Sequence, residues 1–165
     1  MIRKLRGQAF ETMMLVISVI VAVAILGILI SIITGLPIIG GDAKSDVQQM
    51  LKAVQNSGAG NQLKEKTQFS VGLINAEEAV QGTTINKNKI QFYCDSSTDR
   101  SGVCTGTDAP IQIINGPPAA VNIKSRTTAS VAVCKGLSNP TFFICIGSPE
   151  DSSEVSIKCN DKCTR

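Results

Sequence analysis

The sequence predicts an α+β protein: a long N-terminal hydrophobic α-helix, then a short amphipathic helix, then a disulfide-stapled, mainly antiparallel β head. Three observations predict it. Met13–Ile33 carries no charge, and its only polar side chains are Ser18 and Ser31. Val47, Met50, Leu51 and Val54 recur at helical spacing. All six cysteines lie from Cys94 onward, among short β-branched runs bounded by Gly, Pro, Asn and Ser. On these grounds residues 1–7 read as a basic leader, 8–36 as the hydrophobic helix, 37–66 as a kink, stalk helix and linker, and 67–165 as the head.

The apolar run comes first. As a helix it extends about 31 Å, enough to cross the hydrocarbon core of a bilayer. As a strand it would leave backbone groups unpaired in lipid, whereas a helix pairs them internally. The chain is formally +3, and Arg3, Lys4 and Arg6 ahead of the run account for the whole excess. Basic residues flanking an apolar helix stay on the cytoplasmic side, so the N-terminus is expected inside and the head outside. The remainder is balanced in charge, which argues against a nucleic-acid groove. The apolar stretch is too long for an ordinary secretory signal core, and Thr34-Gly35-Leu36-Pro37 is a poor cleavage site.

Gly35, Pro37, Gly40 and Gly41 end or kink the helix, with Pro37 the sharpest break. Ser45-Asp46-Val47-Gln48 fits a capping box, and the amphipathic stripe behind it suits packing on the protein's own sheet, as a lower stalk. A polar, Gly-containing linker follows, to Lys66. Strands are expected at Thr67–Ile74, Ile90–Cys94, Ile111–Ile114, Ala120–Lys124, Thr128–Cys134, Phe142–Ile146 and Val155–Cys159, with a minor helix at Asn75–Val80 opened by Asn75. Spacing near ten residues per strand suggests a sandwich or a twisted antiparallel sheet.

Six cysteines in a small exported head point to three disulfides. Of the possible connectivities, sequential pairing is favoured: Cys94 with Cys104, Cys134 with Cys145, and Cys159 with Cys163. The first two pairs would each close a polar loop, and each such bridge is worth roughly 2–3 kcal/mol.

Catalytic chemistry is sparse. The chain has no histidine, which removes Ser-His and Cys-His arrangements and the commonest metal ligand. Four thiolates could hold zinc, but no C-x2-C pair occurs and an oxidising compartment competes for them. Asp95-x-Ser97-x-Asp99 has the opening of a calcium loop, yet Arg100 stands where the sharp-turn Gly belongs and Gly106 where the bidentate Glu belongs. Tyr93 is the single tyrosine and there is no tryptophan, so a stacking surface for sugars or single strands is thin. No cradle for phosphate is present, and Asn139 is followed by Pro, which spoils the one approach to a glycosylation sequon. No enzyme activity, cofactor or metal is expected.

One constellation is more specific. A basic leader, then Gly7-Gln8-Ala9-Phe10-Glu11, then the apolar run resembles an archaeal type IV pilin-like precursor with a class III signal peptide; the resemblance covers Arg3–Ile33. It implies that a membrane prepilin peptidase cuts between Gly7 and Gln8. The hydrophobic segment would then stay on the mature subunit and form the core of a helical filament, with an assembly platform as partner and membrane lipid around the segment beforehand. Glu11 matches the acidic residue that assists assembly, with Phe10 beside it and Gly27 as a point of close helix approach. The family pattern places the acid fifth after the cut, whereas Glu11 would be fourth and Thr12 fifth; a cut after Arg6 would restore the spacing but lose the small residue. Cleavage would remove the leader's positive charges and leave an α-amino group able to neutralise a carboxylate on a neighbouring subunit, an unpaired buried carboxylate being costly. Two other readings share these features: a single-pass anchored surface protein with a binding head, and a minor pilin or pseudopilin of a secretion or DNA-uptake machine.

Overall fold

The computed structural model describes residues 14–26, 42–57, 60–137 and 141–164. The chain forms two compact units, Met1–Ile39 and Gly40–Arg165. In the first, residues 14–26 form helix α1. The expected bilayer-spanning helix is corrected here. At ~1.5 Å per residue the described helix covers about 20 Å, short of a hydrocarbon core of about 30 Å. Among the described residues, no helix is long and apolar enough to cross a membrane. Met13 and the remainder of the apolar run after Leu26 lie outside the described residues.

The second unit runs α2 (Ala43–Ser57), β1 (Asn61–Phe69), β2 (Gly72–Asn75), α3 (Ala76–Ala79), β3 (Ile90–Cys94), β4 (Ile111–Ile114), β5 (Ala120–Ile123), β6 (Thr127–Lys135), β7 (Phe142–Gly147) and α4 (Ser152–Thr164). Its larger sheet has the order β1-β6-β7-β3, and the smaller has the order β2-β5-β4. The smaller sheet is antiparallel throughout, but β3 joins the larger one parallel to β7, Ile90 opposite Phe142 and Cys94 opposite Ile146. The head is therefore mixed at one edge. A parallel neighbour needs a long crossover, and the chain between β3 and β7 supplies it by building β4, β5 and β6 on the way.

Strand β6 shows why the unit is layered. It is buried on both faces, so side chains of alternating residues enter two different cores. Val131 and Val133 join the main core with Val47, Leu51 and Val54 of α2, Phe69 of β1, and Ile111, Val121 and Ile123 of the smaller sheet. Ala132 and Cys134 face the other way, into a second core with Cys145, Val155, Cys159 and Cys163 beneath α4. The amphipathic helix α2 packs on β1 and β6, the protein's own sheet, as its stripe suggests, and lies within the head unit. It begins at Ala43, ahead of the expected capping box. Asp46 is 3% exposed and pairs with Lys64 Nζ at 2.5 Å, tying the first turn of α2 to strand β1.

Three boundaries differ from expectation for physical reasons. The segment assigned to a linker is the first half of β1, whose register with β6 starts at Asn61 opposite Cys134. As a terminal strand β1 leaves much of its length exposed and reads as polar. The single strand expected over Thr67–Ile74 is broken between Phe69 and Gly72, where Gly72 takes a φ of 151°. The last expected strand, Val155–Cys159, is helical: Val155, Cys159 and Cys163 are the buried residues of α4, four apart along one face. That face seats tightly. A Cβ added at Gly147 would lie 2.5 Å from Val155 Cγ2 and 2.7 Å from the Thr98 carbonyl oxygen, so no side chain fits there. The minor helix has the expected start, with Asn75 Oδ1 accepting from the Glu78 N–H at 2.7 Å.

The six cysteines form Cys94–Cys104, Cys134–Cys163 and Cys145–Cys159. Sequential pairing thus fails for the last four. In the β6–β7 register Cys145 faces Ala132 while Cys134 faces Phe143, which makes the two cysteines diagonal neighbours. Diagonal positions sit about 7–8 Å apart, beyond the span of a disulfide. Each instead reaches across to the cysteine of α4 presented above it.

Candidate functional site

Among the described residues, the apolar helix α1, the 95–105 loop and the corner around Tyr93 carry chemistry beyond packing. Helix α1 has the sequence Met-Leu-Val-Ile-Ser-Val-Ile-Val-Ala-Val-Ala-Ile-Leu, with no polar face. Its large side chains are exposed all round, from 50% at Val21 to 66% at Leu15. An amphipathic helix hides one stripe on its own domain. A helix apolar on every side has to be covered by something else that is apolar. Gly7 and Gln8, expected at the processing site, Phe10, Glu11 and Gly27, expected in assembly, and Pro37, the expected kink, all lie outside the described residues.

In the 95–105 loop the two carboxylates of the calcium-loop-like opening serve the backbone. Asp99 is 4% exposed; its Oδ1 accepts from the Val103 N–H at 2.7 Å. Its Oδ2 accepts from the N–H groups of Cys104 (2.8 Å) and Thr105 (2.7 Å) and from Thr105 Oγ1 (2.8 Å). Ligand atoms of Cys94, Asp99 and Cys104 come within 4.8 Å of one another. The two sulfurs are joined in a disulfide and the carboxylate is saturated by donors, so this donor set is unsuited to a cation. Sequence reasoning missed the part Asp99 plays because three of its four partners are backbone groups.

Tyr93 leaves the larger sheet on the α4 side. Its hydroxyl donates to Asp95 Oδ2 at 3.1 Å, and Lys162 Nζ lies 4.2 Å from its ring centroid, a cation–π contact. Asp95 Oδ1 accepts from Ser97 N–H and from Ser97 Oγ, both at 2.8 Å. The Ser97 backbone N–H is the main cause that holds the Asp95 carboxyl below its ordinary value of 3.8, helped by the Ser97 and Tyr93 hydroxyls and the charge of Lys158. A depressed folded-state pKa adds stability that is present above the ordinary value and is lost as pH falls through the lowered one. Acid titration of stability is therefore expected to lose a small component in Asp95→Asn, confined to the region below about pH 4; an unchanged acid limb would contradict this. Solvent exposure keeps the component small.

The chain matches no family model, no curated protein and no solved structure.

Proposed function

We propose that this chain is a structural subunit of an extracellular type IV pilus-like filament, assembled through its N-terminal apolar helix after a prepilin peptidase removes the leader. The observation that carries the reading is the exposure of α1, which is apolar on all sides and offers no polar face to water. Copies of the same helix packed side by side would cover it, and membrane lipid would cover it before assembly. The resemblance over Arg3–Ile33 supports the same arrangement and supplies the processing bond between Gly7 and Gln8, with Glu11 near the new N-terminus. The head, closed by three disulfides, suits an oxidising and protease-rich exterior. In this reading the chain has no catalytic task.

A charge placed in the helix tests the proposal. Ile20→Glu is expected to abolish filaments while the full chain still reaches the cell surface with its head folded and its disulfides formed. A buried carboxylate at every subunit contact costs several kcal/mol. Filaments of normal length and number from Ile20→Glu would overturn the reading.

A further inference from the structure

The two sheets of the head each end in a strand with one open edge, β3 in the larger and β4 in the smaller. Those two edges line the same trough. One hollow of about 450 Å³ runs along β3 beside the Asn115–Ala119 loop. A second, of about 550 Å³, lies between β3 and β4, and the two share Phe92, Tyr93 and Asn115. On β4 the Ile111 N–H donates to the Val103 carbonyl at 2.9 Å, on the side away from β5. By the two-residue alternation of a strand, the Ile113 N–H and C=O point the same way, into the trough, with no backbone partner there. Around them stand the neutral side-chain amides of Asn88, Gln91, Gln112 and Asn115. Among the described residues, Lys87 is the single charged residue lining either hollow, and it is already paired with Glu77 Oε2 at 2.9 Å.

We infer that this trough binds an extended, uncharged polypeptide strand, which adds to the open edge of β3 and to the Ile113 peptide group of β4. The chemistry selects that occupant. Unpaired backbone donors and acceptors along a strand edge are satisfied by another backbone in extended conformation. Neutral amide walls give a charged segment nothing to pair with, so burying it there would be costly. Neutral oligosaccharides fit less well: among the described residues the aromatic lining is Phe92, which is buried, and Tyr93, which is half-buried and whose ring Lys162 already occupies. The contrast with the opposite edge of the larger sheet is informative. There β1 carries Lys64, Glu65 and Lys66, and its register slips between Lys64 and Thr67, two features that discourage strand addition. The β3 edge, Ile90-Gln-Phe-Tyr-Cys94, has neither. This site is independent of whether the chain polymerises.

The test uses the full chain with its disulfides intact, in detergent micelles, and a panel of end-blocked hexapeptides drawn from Ser, Thr, Val, Asn and Gly. Peptide binding is followed through backbone amide resonances. Members of the panel are expected to shift Gln91, Tyr93 and Ile113, and N-methylation of alternate peptide bonds in the same sequences is expected to weaken binding about tenfold or more, the loss of an interstrand hydrogen bond. The pair Gln91→Lys, at an exposed position, and Gln112→Lys, at a half-buried one, should abolish binding while leaving the remaining resonances in place. The inference is overturned if no panel member binds, if N-methylated peptides bind equally well, if the shifts fall outside the trough, or if fragments of chitin or mannan occupy it in preference to peptides.

Discussion

Asp99→Ala is expected to lower the unfolding free energy of the head by about 3 kcal/mol, measured by urea denaturation with the disulfides kept oxidised. The carboxylate organises the second half of the 95–105 loop, accepting three backbone N–H groups and one hydroxyl while itself buried. Removal leaves those donors facing a void, and an orphaned buried donor costs about 1–3 kcal/mol, less where water can enter. Val103 is buried, whereas Cys104 and Thr105 are half-buried, so the full triple penalty is not reached. Asp99→Asn should lose less, because one acceptor oxygen remains for part of the donor set. A loss below about 0.5 kcal/mol in Asp99→Ala, the range of an ordinary surface change, would contradict the structural role given to this residue.

Replacing both Cys134 and Cys163 by Ala is expected to cost about 3.5 kcal/mol, and replacing both Cys145 and Cys159 about 3 kcal/mol, on the chain-entropy account of cross-links. The difference follows from sequence separations of 29 and 14 residues. Both bridges hold α4 onto the larger sheet, and the Sγ atoms of Cys134 and Cys159 lie only 3.7 Å apart in the dry layer beneath it. Removing both pairs should therefore release the helix, visible as rapid amide exchange over Ser152–Thr164. Peptide mapping under non-reducing conditions gives the sharper check. A fragment joining Cys134 directly to Cys145 would contradict the pairing, and with it the packing of α4.

Strands rich in β-branched and aromatic residues were legible. Ile90–Cys94 and Ile111–Ile114 coincide with β3 and β4, and the β6 run was read to within a residue at each end, because β-branched residues bounded by turn formers leave little alternative. Polarity hid β1: a terminal strand buries few side chains, so Asn61–Lys66 looked like a linker until its pairing with β6 was visible. In α4, Val155-x-Ile157-x-Cys159 alternates like a strand while Val155, Cys159 and Cys163 repeat like a helix. Local pattern cannot choose between the two periods, and the choice is made by the two cysteines that await on the sheet. The disulfide partners were illegible for the same reason, since they depend on the β6–β7 register. The part Asp99 plays was illegible because three of its four partners are main-chain groups, which leave no trace in residue identity. At the N-terminus the apolar composition was plain, but the described helix is shorter than the run that suggested it.

Polymerisation through the apolar segment is most directly tested by electron microscopy of sheared cell-surface material together with N-terminal sequencing of its main protein band. Filaments are expected whose principal subunit is this chain, beginning at or beside Gln8. Surface material without filaments, or a subunit that still begins at Met1, would contradict it.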